Sequence, residues 1–126
     1  MARILIVDDD QPTRRLVRLI LSDPAYDLRF AGSAREALEN IGTSPDLLVS
    51  DMLLPDQDGL SMLKEARQRG YAGPVLAMTA MSSNTPLVQD LEVELGAMSV
   101  LLKPFDPDEL VRRVAALLAH DGTSPV

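Results

Sequence analysis

Asp51 follows the apolar run Leu47-Leu48-Val49 and one serine, and Asp8, Asp9 and Asp10 close the run from Ile4 to Val7. A carboxylate at the end of a buried stretch is costly to ionise unless something compensates it. Two more apolar runs end in polar groups: Val75 to Met78 leads into Thr79-Ala80, and Val100 to Leu102 leads into Lys103-Pro104. Carboxylates gathered in one place repel one another and raise one another's pKa unless a cation intervenes. With only oxygen ligands, the suitable cation is hard and divalent. Mg2+ fits, because it takes one or two carboxylates plus waters and leaves room for a phosphate oxygen; Mn2+ is the alternative. Lys103, one of two lysines against ten arginines, adds a compact positive charge. An aspartate, a bound metal, a lysine and a hydroxyl are the parts needed for phosphoryl transfer onto a carboxylate. The simpler reading makes each aspartate the cap of the next helix. Asp10, just before Pro12, fits that role, but capping explains too little of Asp8, Asp9, Asp51, Thr79 and Lys103 together.

The elements that must position these groups are legible as alternating patterns. The runs Ile4 to Val7, Leu28 to Ala31, Leu47 to Val49, Val75 to Met78 and Val100 to Leu102 read as strands buried on both faces, the pattern of a parallel sheet. Between them lie segments of helical period. Leu16, Val17 and Ile20 form one apolar stripe from Pro12 to Leu21, with Arg14, Arg15 and Arg18 toward solvent. Ser33-Ala-Arg-Glu36 is a capping box for a second helix that stops at Gly42. A third runs from about Leu60 to Arg69, with Leu60, Leu63 and Ala66 inward. A fourth begins at Pro86 and places Val88, Leu91 and Leu95 on one face. A fifth follows Asp106, with Leu110, Val114, Leu117 and Leu118 at helical spacing. Five strands alternating with five helices imply right-handed crossovers and a doubly wound α/β sheet with helices on both faces. Ligands then bind beyond the carboxyl ends of the strands, and in a 2-1-3-4-5 order the first and third strands are neighbours there. That order would bring Asp8, Asp9 and Asp51 together.

The chain of 126 residues fits one domain, and 46% hydrophobic with 25% charged residues is ordinary for a globular fold. A formal net charge of −7 argues against direct nucleic-acid binding, which needs clustered Lys and Arg. Zero cysteines exclude disulfides and thiol chemistry and are compatible with a cytoplasmic protein. The apolar start is too short for a signal peptide or a membrane span. One domain is expected over residues 1–120, and residues 121–126 read as a polar tail or linker stub. His120, alone in polar surroundings, reads as solvated.

Ile-Leu-Ile-Val-Asp8-Asp9-Asp10-x-Pro, Asp51-Met-Leu-Leu-Pro55-Asp-x-Asp58-Gly59, Met-Thr79-Ala80 and Lys103-Pro104-Phe105 resemble, in order, the signature blocks of two-component response-regulator receiver domains, the chemotaxis-regulator-like kind included. The resemblance covers residues 3 to 119 and implies a (βα)5 flavodoxin-like sandwich with the strand order above. It implies that Asp51 accepts a phosphoryl group from a sensor histidine kinase or a histidine phosphotransfer protein. Asp9, Asp51 and the backbone carbonyl of Leu53 would ligate Mg2+, with Asp8 acting largely through a coordinated water. Lys103 would pair with Asp51 and then with phosphoryl oxygens, and the Thr79 hydroxyl would swing onto the phosphoryl group. It also implies a cis peptide between Lys103 and Pro104, a form that X-Pro bonds adopt at low cost.

Some positions depart from the pattern. Val100 stands where the family has a switch aromatic three residues before the lysine, so no aromatic rotamer can report phosphorylation there. Leu53 and Met81, two positions beyond Asp51 and Thr79, are apolar, which implies slow self-dephosphorylation. The stretch from Ala80 to Thr85 is longer than usual and is expected to be a mobile loop. Asp90, Glu92 and Glu94 surround Val93 on the expected fourth helix, as a solvated face or as a partner surface shared with the fifth strand and fifth helix, where a homodimer is one option. Arg112 and Arg113 would complement a second copy or face water. The leading expectation is a switch that catalyses only its own phosphorylation and dephosphorylation and signals to an unknown output protein. A phosphorylation-independent pseudo-receiver is the alternative. An Mg2+-dependent aspartate-nucleophile phosphatase is opposed by Leu53, which stands where that chemistry needs a second carboxylate.

Overall fold

The computed structural model describes residues 1–79 and 98–119. In chain order these form β1 (Ala2–Val7), α1 (Gln11–Ile20), β2 (Tyr26–Ala31), α2 (Ala34–Asn40), a single 3-10 turn (Ile41–Thr43), β3 (Leu47–Asp51), α3 (Gly59–Gln68), β4 (Val75–Thr79), β5 (Met98–Leu102) and α4 (Pro107–Ala119). The helix expected from Pro86, with Ala80, Met81 and Val93 around it, lies outside the described residues, as do His120 and the tail. The α4 of the structure is the helix expected after Asp106.

The strands make one sheet in the order β2-β1-β3-β4-β5, and every pairing is parallel. Alternation along β1 divides the interior in two. Leu5 and Val7 face a core completed by Ala34, Ala37 and Leu38 of α2 and by Met62, Leu63 and Ala66 of α3. Ile4 and Ile6 face the other way, against Val17 and Leu21 at α1 and Leu110 and Val114 of α4. Both faces are therefore covered, the condition under which inner parallel strands read as unbroken apolar runs. Each residue of β3 and β4 is buried. The expectation of burial on both faces fails for β2: it is an outer strand of the sheet, and only Ala31 in it is fully buried.

Three further expectations need correction. In α1 the inward stripe is Val17, Ile20 and Leu21, and Leu16 is 45% exposed; once Val17 and Leu21 point at the sheet, position 16 lies a quarter-turn away. Arg14 and Arg18 are not simply solvated, since their guanidinium groups lie 5.7 and 4.5 Å from the Phe30 ring centroid, within cation–π range. The second helix is not stopped by Gly42, which lies within the 3-10 turn; that turn ends at Ser44 in a left-handed conformation with φ 54°. The caps expected at Asp10 and Ser33 form, accepting from the Thr13 and Glu36 N–H groups, and Asp58 caps the third helix by accepting from the Ser61 N–H.

Candidate functional site

The order of the sheet turns at β1, whose neighbours are β2 on one side and β3 on the other. Val7 pairs with Ser50, so Asp8 leaves the sheet level with Asp51, the last residue of β3. On the far side of β3, Asp51 pairs with Met78 and Thr79 pairs with Leu102, which places Lys103 one residue beyond the same edge. The Lys103 N–H donates to the Thr79 carbonyl at 2.8 Å, continuing the ladder to the site.

One carboxylate oxygen from each of Asp8, Asp9 and Asp51 falls within a cluster whose members all lie within 4.8 Å of one another. The Lys103 ammonium donates to Asp8 Oδ2 and to Asp51 Oδ2, both at 3.0 Å. The other oxygen of each carboxylate is held by the backbone: Asp8 Oδ1 accepts from the Asp10 N–H at 2.9 Å and Asp51 Oδ1 from the Leu53 N–H at 3.1 Å. Asp8 and Thr79 are buried, Asp51 is 9% exposed, and Asp9 is open to solvent. Burial pushes the Asp8 carboxyl above its ordinary pKa, against the opposing pull of the Asp10 N–H and Lys103. Burial would lower the Lys103 ammonium, but its hydrogen bonds to Asp8 and Asp51 outweigh that and raise it. Three carboxylates and one ammonium leave excess negative charge beside an open aspartate, and the donor atoms are all oxygen. This set fits a hard divalent cation. Lys103–Pro104 is cis.

The structure thus brings Asp8, Asp9, Asp51, Thr79 and Lys103 to one edge. Leu53 sits beside them, 59% exposed. Val100 is half-buried against the core under α2 and α3, and its carbonyl accepts from Arg113 Nη1 at 3.0 Å. Arg113 does not merely face water: it also donates to Ser99 Oγ and pairs with Glu109 at 3.0 Å. Asp58 starts α3, as its position suggests. Asp56 does something sequence reasoning missed. Its two oxygens accept from the Ala34 and Arg35 N–H groups at 3.0 and 2.9 Å, so it serves the start of α2, a helix far behind it in the chain. Gly59 was also missed as a packing requirement: a Cβ there would lie 2.7 Å from the Asp51 carbonyl oxygen and from Met52 Cα.

Comparison with known proteins agrees with this fold. The profile of the response regulator receiver domain matches residues 4–115. The chain is 40% identical over 117 residues to the response regulator MprA of Mycolicibacterium vanbaalenii, covering 92% of this chain and 50% of that one. It is 38% identical over 117 residues to the alkaline phosphatase synthesis transcriptional regulatory protein PhoP of Bacillus subtilis, covering 92% and 48%. The chain spans about half the length of these relatives. Its structure superposes on the Francisella response regulator 1452 receiver domain with a TM-score of 0.83 at 29% identity, covering 95% of this chain and 98% of that one. A profile that matches nearly the whole fold, together with such relatives, shows that the chain belongs to the response regulator receiver domain family.

Proposed function

We propose that the domain is a phospho-accepting signalling switch of a two-component system or phosphorelay, with Asp51 as the acceptor. The observation that carries the reading is the Lys103 ammonium bridging Asp8 and Asp51 at 3.0 Å each, with Asp9 beside them. In the reaction, a carboxylate oxygen of Asp51 forms a bond to phosphorus as the P–N bond of a phosphohistidine breaks, and the imidazole nitrogen leaves with the electron pair. The phosphohistidine belongs to a sensor histidine kinase or a histidine phosphotransfer protein. Asp8, Asp9, Asp51 and the Leu53 carbonyl would hold Mg2+, with Mn2+ as a substitute, which supplies positive charge to the transferring oxygens. Lys103, already within reach of Asp51, supplies a second positive charge, and the Thr79 hydroxyl completes the contacts to the phosphoryl group.

Phosphorylation replaces one carboxylate charge by a larger anionic group. It therefore changes what Lys103 and Thr79 favour, and a bias of a few kcal/mol is enough to shift a two-state equilibrium. Signalling to an output protein, with no turnover of an external substrate, follows from this role; so does a cytoplasmic setting, where such donors act. Among the described residues no helix is long and apolar enough to cross a membrane.

Incubation with acetyl phosphate and Mg2+, read by intact mass, tests the assignment. A single adduct of about 80 Da is expected on the wild type and none on Asp51→Asn or in EDTA. An adduct that persists in Asp51→Asn overturns it.

A further inference from the structure

β1 and β3 pair as far as Val7 and Ser50; Asp51 is still held in the sheet, opposite Met78 of β4. Leu53, two residues further on, has left the strand and lies on a loop. On the Asp8 side, the Asp8 N–H donates to the Ala31 carbonyl at 3.0 Å, so Asp8 is tied to the last residue of β2, from which the chain turns into α2. On the Asp51 side, residues 52–58 form a loop closed at its base by the Gly59 N–H to Met52 carbonyl bond at 2.9 Å and by the bridge between Leu53 and Asp58. Asp56 reaches from this loop to the first two N–H groups of α2. That helix already has its own N-cap in Ser33, whose Oγ accepts from the Glu36 N–H at 3.1 Å. Ser33 leaves the Ala34 and Arg35 N–H groups to Asp56, so the same two bonds that complete the helix start also tie the loop to it.

We infer that Asp56 is a positioning residue for the acidic site: it clamps the loop that carries Leu53 to the start of α2, three residues after the Ala31 carbonyl that holds Asp8. Its bonds close a ring running from Asp8 through Ala31 and the start of α2 to Asp56, then through the loop to Asp51 and across Lys103 back to Asp8. Both halves of the site are thereby held to one helix terminus. The inference rests on the proposed Mg2+-dependent reading. A loop that must be ordered at the moment of binding gives a weaker site than one ordered beforehand, because the ordering entropy is then charged to the ligand.

The experiment compares Asp56→Ala, Asp56→Asn and Ser33→Ala with the wild type, measuring Mg2+ binding by calorimetry and thermal stability in EDTA. Ser33→Ala removes a cap from the same helix without touching the loop. Both alanine variants are expected to lower Tm, but only Asp56→Ala should raise the Mg2+ concentration for half-saturation, by about tenfold. Asp56→Asn keeps one acceptor oxygen and should fall between. Equal losses of Tm with wild-type Mg2+ binding in Asp56→Ala overturn the inference alone. Absence of saturable Mg2+ binding in the wild type overturns the reading of the site, and the inference with it.

Discussion

At the scale of single residues, Asp8 and Gly59 carry the sharpest constraints. Asp8 is fully buried and depends on Lys103, whose side chain is 21% exposed. Removing one partner of a buried ion pair leaves an uncompensated charge, so Lys103→Met should cost about 3 kcal/mol in urea unfolding at neutral pH in EDTA. Because burial raises the Asp8 pKa in the folded state, the folded form binds that proton more tightly than the unfolded one. The penalty is therefore present above the folded pKa and is relieved as pH falls toward the unfolded value of about 3.9; the variant's deficit should shrink on mild acidification. Gly59→Ala places a methyl group against backbone that cannot move aside, and should cost roughly 1–3 kcal/mol in the same measurement. Legibility at this scale follows range. Asp8, Asp51, Thr79 and Lys103 could be read because each ends an apolar run, and strand ends of a parallel sheet converge. Asp56 could not, because its partners are backbone N–H groups 22 and 21 positions earlier, and a backbone donor leaves no mark in residue type.

At the scale of elements, helix starts are the best-determined features, and carboxylates make them. Asp58 accepts from the Ser61 N–H at 2.7 Å and from its hydroxyl at 3.1 Å; Asp58→Ala should cost about 1 kcal/mol by chemical unfolding. The Ser61 N–H lowers the Asp58 pKa, and the Arg35 and Ala34 N–H groups lower that of Asp56. A lowered folded pKa contributes stability that is fully present above about 3.9 and is lost as pH falls through the folded values. Thermal melts of the wild type should therefore weaken below that point, and Asp58→Asn should weaken less steeply. Helix faces were less legible than helix starts. Leu16 and Val17 are equally apolar in the sequence; which of the two faces the sheet is decided by where Leu21 and α4 pack. Arg113 shows the same limit, since its bond to the Val100 carbonyl depends on how α4 lies along β5.

At the scale of the whole molecule, strand order was the most secure expectation. Five buried runs joined by crossovers admit few arrangements, and 2-1-3-4-5 is the one observed. Exposure of β2 was the part not visible, because an outer strand keeps the apolar residues that face its own helices. Cation binding at the acidic edge should stabilise the whole domain through linkage. At a hundredfold excess over its dissociation constant, Mg2+ should add about 2.7 kcal/mol, or roughly 10 °C in Tm for a domain of this size. Differential scanning calorimetry of wild type and Asp51→Asn, with and without EDTA, checks this; the variant should lose most of the shift.

The outer position of β2 has a consequence for behaviour in concentrated solution. An unpaired strand edge is a template on which another copy of the same strand can add. In β2 the middle residues include Asp27 and Arg29, 3.5 Å apart. A parallel, in-register copy would set aspartate on aspartate and arginine on arginine, and like charges directly opposite are unfavourable. Parallel, in-register addition of a second β2 to this edge is therefore disfavoured by two like-charge contacts.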